Sequence, residues 1–477
     1  MAKLIPIYKW NKGVLKFNRK SDKLSRQPWF QGVLLLCCVV VAMLLANLPF
    51  TKVMYHEILE TNIQLHMFSN DGSVNILFPK DMTVEKFIND ILMVIFFFTV
   101  GLEIRREISN GELSSPKKAL MPVIAAFGGV IAPAVIFTLI NKGTLAAGGW
   151  GIPTATDIAF AVCILSVLGD KVPVSLKVFL TALAIADDLI AILVVALFYG
   201  GSIHFIPLLI AFAFILLALL LRRLGEKNMF PYIVCAIFVW ALFYYSGIHA
   251  TMSGVVMAFL IPSSARYSKV QYIRKRNFYI KELDKYDAID DEAFPNGPQK
   301  HCLRELESIA HGTMDMSYRV EHALSPWVNF LIMPIFALAN AGVTIPSLSY
   351  FNIFTNTIAS HPEFGMVGLG IFLGLLLGKP VGITLFSWVA IKLKIGEMPA
   401  KATWPMFFAV ACLGGIGFTM SIFVDTLSFG GVADELTVNA MRDAGKIAVL
   451  MGSICAGVLG SVLVNFVYKL QGGKKSA

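Results

Sequence analysis

Residues 181–198 read TALAIADDLIAILVVALF, and two adjacent carboxylates, Asp187 and Asp188, stand in the middle of this otherwise apolar run. Two further charges sit in similar surroundings, Asp157 in GIPTATDIAF and Lys379 in LLLGKPVG. An Asp or Lys at the centre of a bilayer costs roughly 2.5–3.5 kcal/mol, so four unpaired ones would cost on the order of 12 kcal/mol. That rivals the whole stability of a typical domain, roughly 5–15 kcal/mol. These residues must therefore face one another, water or a bound ion. Carboxylates joined by threonine hydroxyls such as Thr156 and by backbone oxygens form a hard-oxygen set, which suits alkali or alkaline-earth cations and not soft metals. Two carboxylates close together in a low-dielectric cavity repel each other, so the same pair can hold either a cation or protons. A site of this kind that opened to one side at a time would exchange one load for the other.

The elements that must position these residues are membrane helices. The chain has 477 residues, of which 56% are hydrophobic and 15% charged, against roughly 25% charged in soluble proteins. Its mean hydropathy is +0.70. Apolar runs long enough to span a bilayer recur throughout. The pattern predicts an all-α integral membrane protein of about twelve spans, with cores at 30–50, 87–104, 119–140, 151–168, 174–199, 206–221, 230–246, 249–262, 326–344, 365–390, 404–428 and 441–468. The first run is too long for a signal-peptide core and is read as a retained helix. A helix over 174–199 is about 39 Å long, and adjacent residues on it point about 100° apart. Asp187 and Asp188 thus lie at mid-span and can serve different partners.

The net charge of +9 concerns orientation. Basic residues lie between apolar runs and form no folded basic face with interleaved aromatics, which excludes nucleic acid as a partner. Residues 1–29 carry eight Lys/Arg against one acid, Asp22. Alternate connections are basic, with Arg105, Arg106, Lys117, Lys118, Lys171, Arg222, Arg223, Lys227, Lys392, Lys394 and Lys401, and the opposite short set is nearly bare. Both termini are therefore expected in the cytoplasm. The chain divides into a basic tail 1–29, spans 1–8 over 30–262, a charged cytoplasmic insert 263–318, spans 9–12 over 319–468, and a tail 469–477. The insert has nine basic and nine acidic residues and reads as a soluble helical segment or a mobile loop. Within 51–86, Asn70-Asp71-Gly72 supplies turn chemistry between two β-prone arms, which predicts an extracytoplasmic hairpin. The seven cysteines form no CxxC pair, so redox or metal chemistry is not indicated.

Two spans carry interruptions. GIPTATD places Gly, Pro and two Thr just before Asp157, and CLGGIGFTMS puts three glycines within four residues near the middle of the eleventh span. Both segments are expected to unwind, which would put Asp157 beside a half-helix N-terminus. Interrupted helices at matching places in two halves mark a midplane site, and spans 3–5 and 10–12 are the natural inverted repeats.

The ordered motifs FINDILMVIFFFTVGLEIRRE, TATDIAFAVCILSVLG, LTALAIADDLIAILVVALFY, SGIHATMSGV, GLLLGKPVGI and GGIGFTMSIF closely resemble those of bacterial NhaA-type Na⁺/H⁺ antiporters. That family is itself one of the examples behind the inverted-repeat rule. The resemblance implies an electrogenic, pH-regulated transporter, not an enzyme, which needs no cofactor and exports Na⁺ or Li⁺ for H⁺ by alternating access in the bacterial inner membrane. It implies that Asp188 is the principal cation ligand, that Asp187 carries protons and pairs with Lys379, and that Thr156 and Asp157 support the site. It marks Glu103, Arg106, Glu107, His249 and Glu321 as pH-response candidates and Asp90 as a membrane-entrance carboxylate. It also implies a homodimer held through the hairpin. The chain departs from the pattern in its long insert, its basic tail and Asp425, a carboxylate in SIFVDTLSFG where a small residue is expected.

Two other readings are weaker. A sodium-coupled organic solute symporter of the same architecture would not need Lys379 or a carboxylate pair. An intramembrane aspartyl protease needs YD and GxGD signatures. The only YD, Tyr286-Asp287, lies in the charged insert, and GxGD is absent.

Overall fold

The computed structural model describes residues 28–63, 66–69, 72–75, 82–111, 114–201, 203–265, 267–287, 295–345, 366–429 and 435–471. Most of the basic tail, the turn residues Asn70 and Asp71, part of the insert (288–294), the connections 346–365 and 430–434, and residues 472–477 lie outside them.

The first helices are α1 (Pro28–Asn47) and α2 (Lys52–Glu60). Strands β1 (His66–Ser69) and β2 (Gly72–Asn75) pair antiparallel, with His66 opposite Asn75. The base of this excursion is closed by an Asn62–Thr83 bridge and a hydrogen bond from Ile63 N to Met82 O (2.7 Å). Next come α3 (Val84–Ser109), α4 (Pro116–Ile140), a 3-10 segment (Leu145–Thr154), α5 (Ile158–Leu168) and α6 (Val174–Phe198). They are followed by α7 (Phe205–Arg223), α8 (Met229–Ser246) and α9 (Met252–Leu260). The insert supplies α10 (Lys269–Asp287) and α11 (Gly297–Thr313). The last set is α12 (Met316–Asn340), α13 (Val367–Lys392), α14 (Trp404–Leu413), α15 (Phe418–Leu427) and α16 (Glu435–Leu470).

Among the described residues, nine helices are long and apolar enough to cross a membrane, or eleven if each of two bent pairs counts as one span. Those pairs are the 3-10 segment with α5, bent by 40°, and α14 with α15, bent by 51°. They are the two spans whose Gly, Pro and Thr content predicts interruption. The remaining expected span, 249–262, contains only the nine-residue α9, about 14 Å long and shorter than a bilayer core. Gly247, at φ +83°, ends α8, and Pro262 follows the end of α9, so local chemistry shortens the helix from both sides. The ninth span also starts earlier than expected. Asp315 caps α12 by accepting from Tyr318 N at 3.2 Å.

The chain forms two compact units. One comprises Met1–Met93, Glu107–Gly201 and Asn329–Ala477, and the other Val94–Arg106 and Ser202–Val328. In the second unit a core of Leu102, Tyr232, Val239, Phe243, Met257 and Ala258 joins α8, α9 and the middle of α3. There Gly254 lets α9 lie against the backbone of α3, and a Cβ would sit 3.0 Å from Phe98 N. The insert helices α10 and α11 also belong to this unit. A reciprocal cap starts α11, with Asn296 Oδ1 accepting from Gln299 N (3.0 Å) and Gln299 Oε1 accepting from Asn296 N (2.7 Å).

The first unit is organised by α6 and α13. The membrane-spanning window of α6 is 72% buried, so its carboxylates point into protein and not lipid. Along α13, Gly370, Gly374, Gly378 and Gly382 recur every fourth residue and form one face. A Cβ at Gly374 would lie 2.7 Å from Pro153 Cβ, and one at Gly378 would lie 2.8 Å from Pro133 Cα. A Cβ at Gly382 would meet the backbone oxygen of Gly128 and lie 2.7 Å from Ala132 Cβ. Small residues thus allow α13 to touch the backbone of α4 and the Pro153 ring of the 3-10 segment, which carries Lys379 into the interior. Gly382→Val is expected to destabilise the protein by about 1–3 kcal/mol or more, because neither backbone can retreat. Thermal unfolding in detergent checks this, and an unchanged Tm would refute the close-approach account.

Candidate functional site

The site lies where the two bent pairs cross. Asp157 N donates to Ile416 O at 2.7 Å, which joins the extended stretch 155–157 to the non-helical residues 416–417. Directly after the crossing, α5 and α15 start side by side, with the rings of Phe160 and Phe418 4.5 Å apart. The crossing sits in a fully buried environment, so its free backbone groups must find protein partners.

Asp157 supplies partners for both helix starts. Its Oδ1 accepts from Phe160 N at 3.3 Å, capping α5. Its Oδ2 accepts from Thr419 N at 3.1 Å and from the Thr419 hydroxyl, capping α15. One carboxylate therefore meets the positive ends of two half-helices. Ser453 of α16 completes the second start, its Oγ accepting from Gly417 N (3.2 Å) and Phe418 N (3.1 Å). Loss of one cap costs about 0.5–2 kcal/mol. Ser453→Ala is therefore expected to lower stability by about that amount while leaving the charged cluster intact, measured as a Tm shift in detergent.

Lys379 lies on the other side of the crossing, just after a widened turn of α13 (Gly374–Gly378). Its ammonium donates to Asp187 Oδ2 and to Thr156 Oγ1. The Thr156 hydroxyl is 2.6 Å from Asp187 Oδ2 and 2.9 Å from the carbonyl oxygen of Gly414. It has one proton to give, so it donates to one of these oxygens at a time. Asp188, next along α6, lies within electrostatic range of the Lys379 ammonium. Exposure is 0% for Lys379, 1% for Asp187, and 2% for Asp157 and Asp188. Asp187 Oδ1 is buried and accepts no hydrogen bond among the described residues. Asp187 and Asp188 thus act on one ammonium, while Asp157 is tied to the two helix starts. Enclosed carboxylates of this kind are chemically suited to positive charge of small size, either a desolvated cation or protons.

Thr156, Asp157, Asp187, Asp188 and Lys379 all lie in the first unit and surround this crossing. Residue type did not single out Thr419, Ser453 or the Gly414 carbonyl. Thr419 follows the glycine cluster as Asp157 follows TAT, and that parallel was the available signal. The pH-response candidates lie elsewhere. In the second unit Arg106 pairs with Glu321, which is nearly buried, and its other nitrogen is 3.9 Å from Glu103. Arg105 beside it is buried, donating to Ala258 O (3.0 Å), Ile261 O and Ser263 Oγ (3.0 Å). His249 lies in the turn between α8 and α9, where its carbonyl accepts from Met252 N at 3.0 Å. Glu107 falls in the first unit.

Fold and site together define a multi-pass helical membrane protein with charged groups held at a crossing of two broken helices. The chain belongs to the Na⁺/H⁺ antiporter 1 family, whose model matches residues 22–464. It is 40% identical over 460 residues to the Na⁺/H⁺ antiporter NhaA of Sulfurimonas denitrificans, covering 96% of this chain and 98% of that one. It is 37% identical over 470 residues to NhaA of Porphyromonas gingivalis, covering 97% and 99%. It is 38% identical over 465 residues to NhaA 2 of Helicobacter hepaticus, covering 96% and 99%.

Proposed function

We propose that this protein exchanges Na⁺ or Li⁺ for H⁺ across the bacterial inner membrane, serving sodium and pH homeostasis. The observation that carries this reading is the enclosed cluster of three carboxylates and one ammonium at the helix crossing. Asp188 is the principal cation ligand, and Asp187 joins it when its tie to Lys379 is released. A cation arriving at Asp188 and Asp187 competes with protons for the same oxygens, so loading one side of the membrane with Na⁺ expels protons from the site. Asp157 stays bound to two helix starts and holds the geometry, and Thr156 passes hydrogen bonds between Lys379, Asp187 and the Gly414 carbonyl. More protonic charge enters than sodium charge leaves, which makes the cycle electrogenic. The midplane crossing and the unwound backbone support alternating access between inverted repeats of spans 3–5 and 10–12.

We read the basic connections as putting both termini in the cytoplasm and the 51–86 excursion outside, with the short α9 and its flanking residues together making the twelfth crossing. The strand pair β1–β2 then offers an edge through which two copies form a homodimer. Arg106, Glu103 and Glu321 form a cytoplasmic charge network whose protonation adjusts activity, and Glu107 and His249 are separate pH-response groups. The insert helices α10 and α11 belong to the same face.

The test is proton movement in everted vesicles on adding Na⁺, Li⁺ or K⁺ across a range of pH. Na⁺ and Li⁺ are expected to drive proton release from the lumen. Na⁺-driven uptake of an organic solute without proton movement would replace this function with symport.

A further inference from the structure

We propose that Asp425 is a second proton-binding carboxylate, set between the ion site and the outer surface, and that it governs how exchange responds to pH on the outer side. The assignment of the outer side rests on the topology and exchange activity proposed above.

Gly417, Ser421 and Asp425 follow one another at four-residue spacing and form one face of α15. Asp425 lies about 12 Å from Gly417 along the helix axis. At the inner end, a Cβ on Gly417 would lie 3.0 Å from Ala155 O, so the stripe begins against the stretch that carries Thr156 and Asp157. Ser421 Oγ is buried and makes no hydrogen bond among the described residues. Asp425 is 0% exposed, and neither of its carboxylate oxygens accepts a hydrogen bond among the described residues. The side chain rests on the backbone of α16. A Cβ on Gly445 would run into the Asp425 carboxylate, lying 2.9 Å from Cγ. The absence of a side chain at Gly445 is what makes room for this carboxylate.

The groups that face it from neighbouring elements are few. From α16, Lys446 and Arg442 act on it as cations and Asp443 as an anion. Arg442 reaches Ser428 O with one nitrogen at 3.4 Å, and its Nε is buried with no acceptor among the described residues. From the end of α6, Tyr199 lies within electrostatic range. The Tyr199 hydroxyl donates to Gly148 O (2.9 Å) and accepts from Gly151 N (2.8 Å), which binds it to the 3-10 segment. Asp443 in turn lies within range of His56 and Glu85. The 3-10 segment and the Met333–Asn340 part of α12, which also pack against α15, carry no titratable side chain.

Burial works against the carboxylate anion, and the two nearby cations work for it. The flanking Lys446 and Arg442 would repel a metal cation, whereas a proton neutralises the buried acid without adding bulk or a new cation. The station adds nothing to the number of ions moved per cycle, because it does not alternate with the central site. It sets the charge, and so the local proton availability, on the outer approach to Asp187 and Asp188.

The experiment compares full-length protein in right-side-out and everted vesicles, varying pH on one face at a time while following Na⁺-dependent proton movement. Asp425→Asn is expected to retain exchange but to displace the outer-face pH profile by about one unit, leaving the cytoplasmic-face profile in place. Asp425→Glu should restore the wild-type profile. Lys446→Gln should move the outer profile to higher pH, because a carboxyl that loses a neighbouring cation keeps its proton to higher pH. An outer profile of Asp425→Asn that superimposes on wild type, or one displaced equally on both faces, overturns the proposal. If Asp425→Asn does not fold, an unmoved outer profile in Lys446→Gln overturns it instead. Wild-type vesicles without Na⁺-dependent proton movement would overturn the exchange function itself, a result readily told apart from these.

Discussion

Asp188→Asn is expected to abolish Na⁺-dependent proton movement in everted vesicles while the protein still folds and inserts. Asn keeps the size of Asp and one carbonyl oxygen, so the packing of α6 in the buried centre of the first unit is preserved. The charge is lost. A desolvated cation at this depth has surrendered its water and depends on anionic oxygens to replace it. Removing one charged ligand is worth about 2–3 kcal/mol, or roughly 30- to 150-fold in apparent cation affinity. The proton that Asp188 would carry is removed at the same time, so raising the Na⁺ concentration should not restore exchange. Retained stability in detergent separates this outcome from misfolding. Full exchange in the variant would remove Asp188 from the site.

Lys379→Met is expected to be among the most destabilising single substitutions in the chain. The ammonium is 0% exposed and donates to Asp187 and Thr156. Removing one partner of a buried ion pair leaves the other charge uncompensated, at a cost of about 3–5 kcal/mol. The double variant Asp187→Asn with Lys379→Met removes both charges and should recover most of that loss, since replacing both partners of a buried pair is often nearly neutral. Thermal unfolding of the wild type, both single variants and the double variant forms a cycle. Strictly additive changes would show that the pair is not energetically coupled. Exchange in the stabilised double variant separates a structural role for Lys379 from a part in proton handling. Loss of exchange with stability regained assigns the charged pair to the cycle.

Residue order alone picks out most residues of the candidate site because of a one-dimensional effect. A charge inside an apolar run is costly wherever the run ends up, so Asp157, Asp187, Asp188 and Lys379 announced themselves before any fold was known. Helix-weakening residues act locally as well, which is why GIPTAT and GGIG marked the two bends. Span length was less legible around α9, because a left-handed Gly247 and Pro262 shorten a run that is apolar enough to cross. The start of α12 was hidden for a similar reason, since its first turns are polar and resemble the insert before them.

What order along the chain could not supply was which atoms meet. Thr419, Ser453 and the Gly414 carbonyl are ordinary residues in an apolar context. They matter only because the crossing brings the 416–417 backbone onto the 155–157 backbone and leaves helix ends that need partners. That Asp157 caps two helix starts while Asp187 takes the ammonium depends on the glycine face of α13 pressing against α4 and the 3-10 segment. Asp425 shows the same division. The sequence marked it as a carboxylate out of pattern, and only the fold set it against the bare backbone of Gly445. The cost of burying a charge depends on residue type and is readable in one dimension. The compensation of that charge depends on distances between segments far apart in the chain, and those come only from packing.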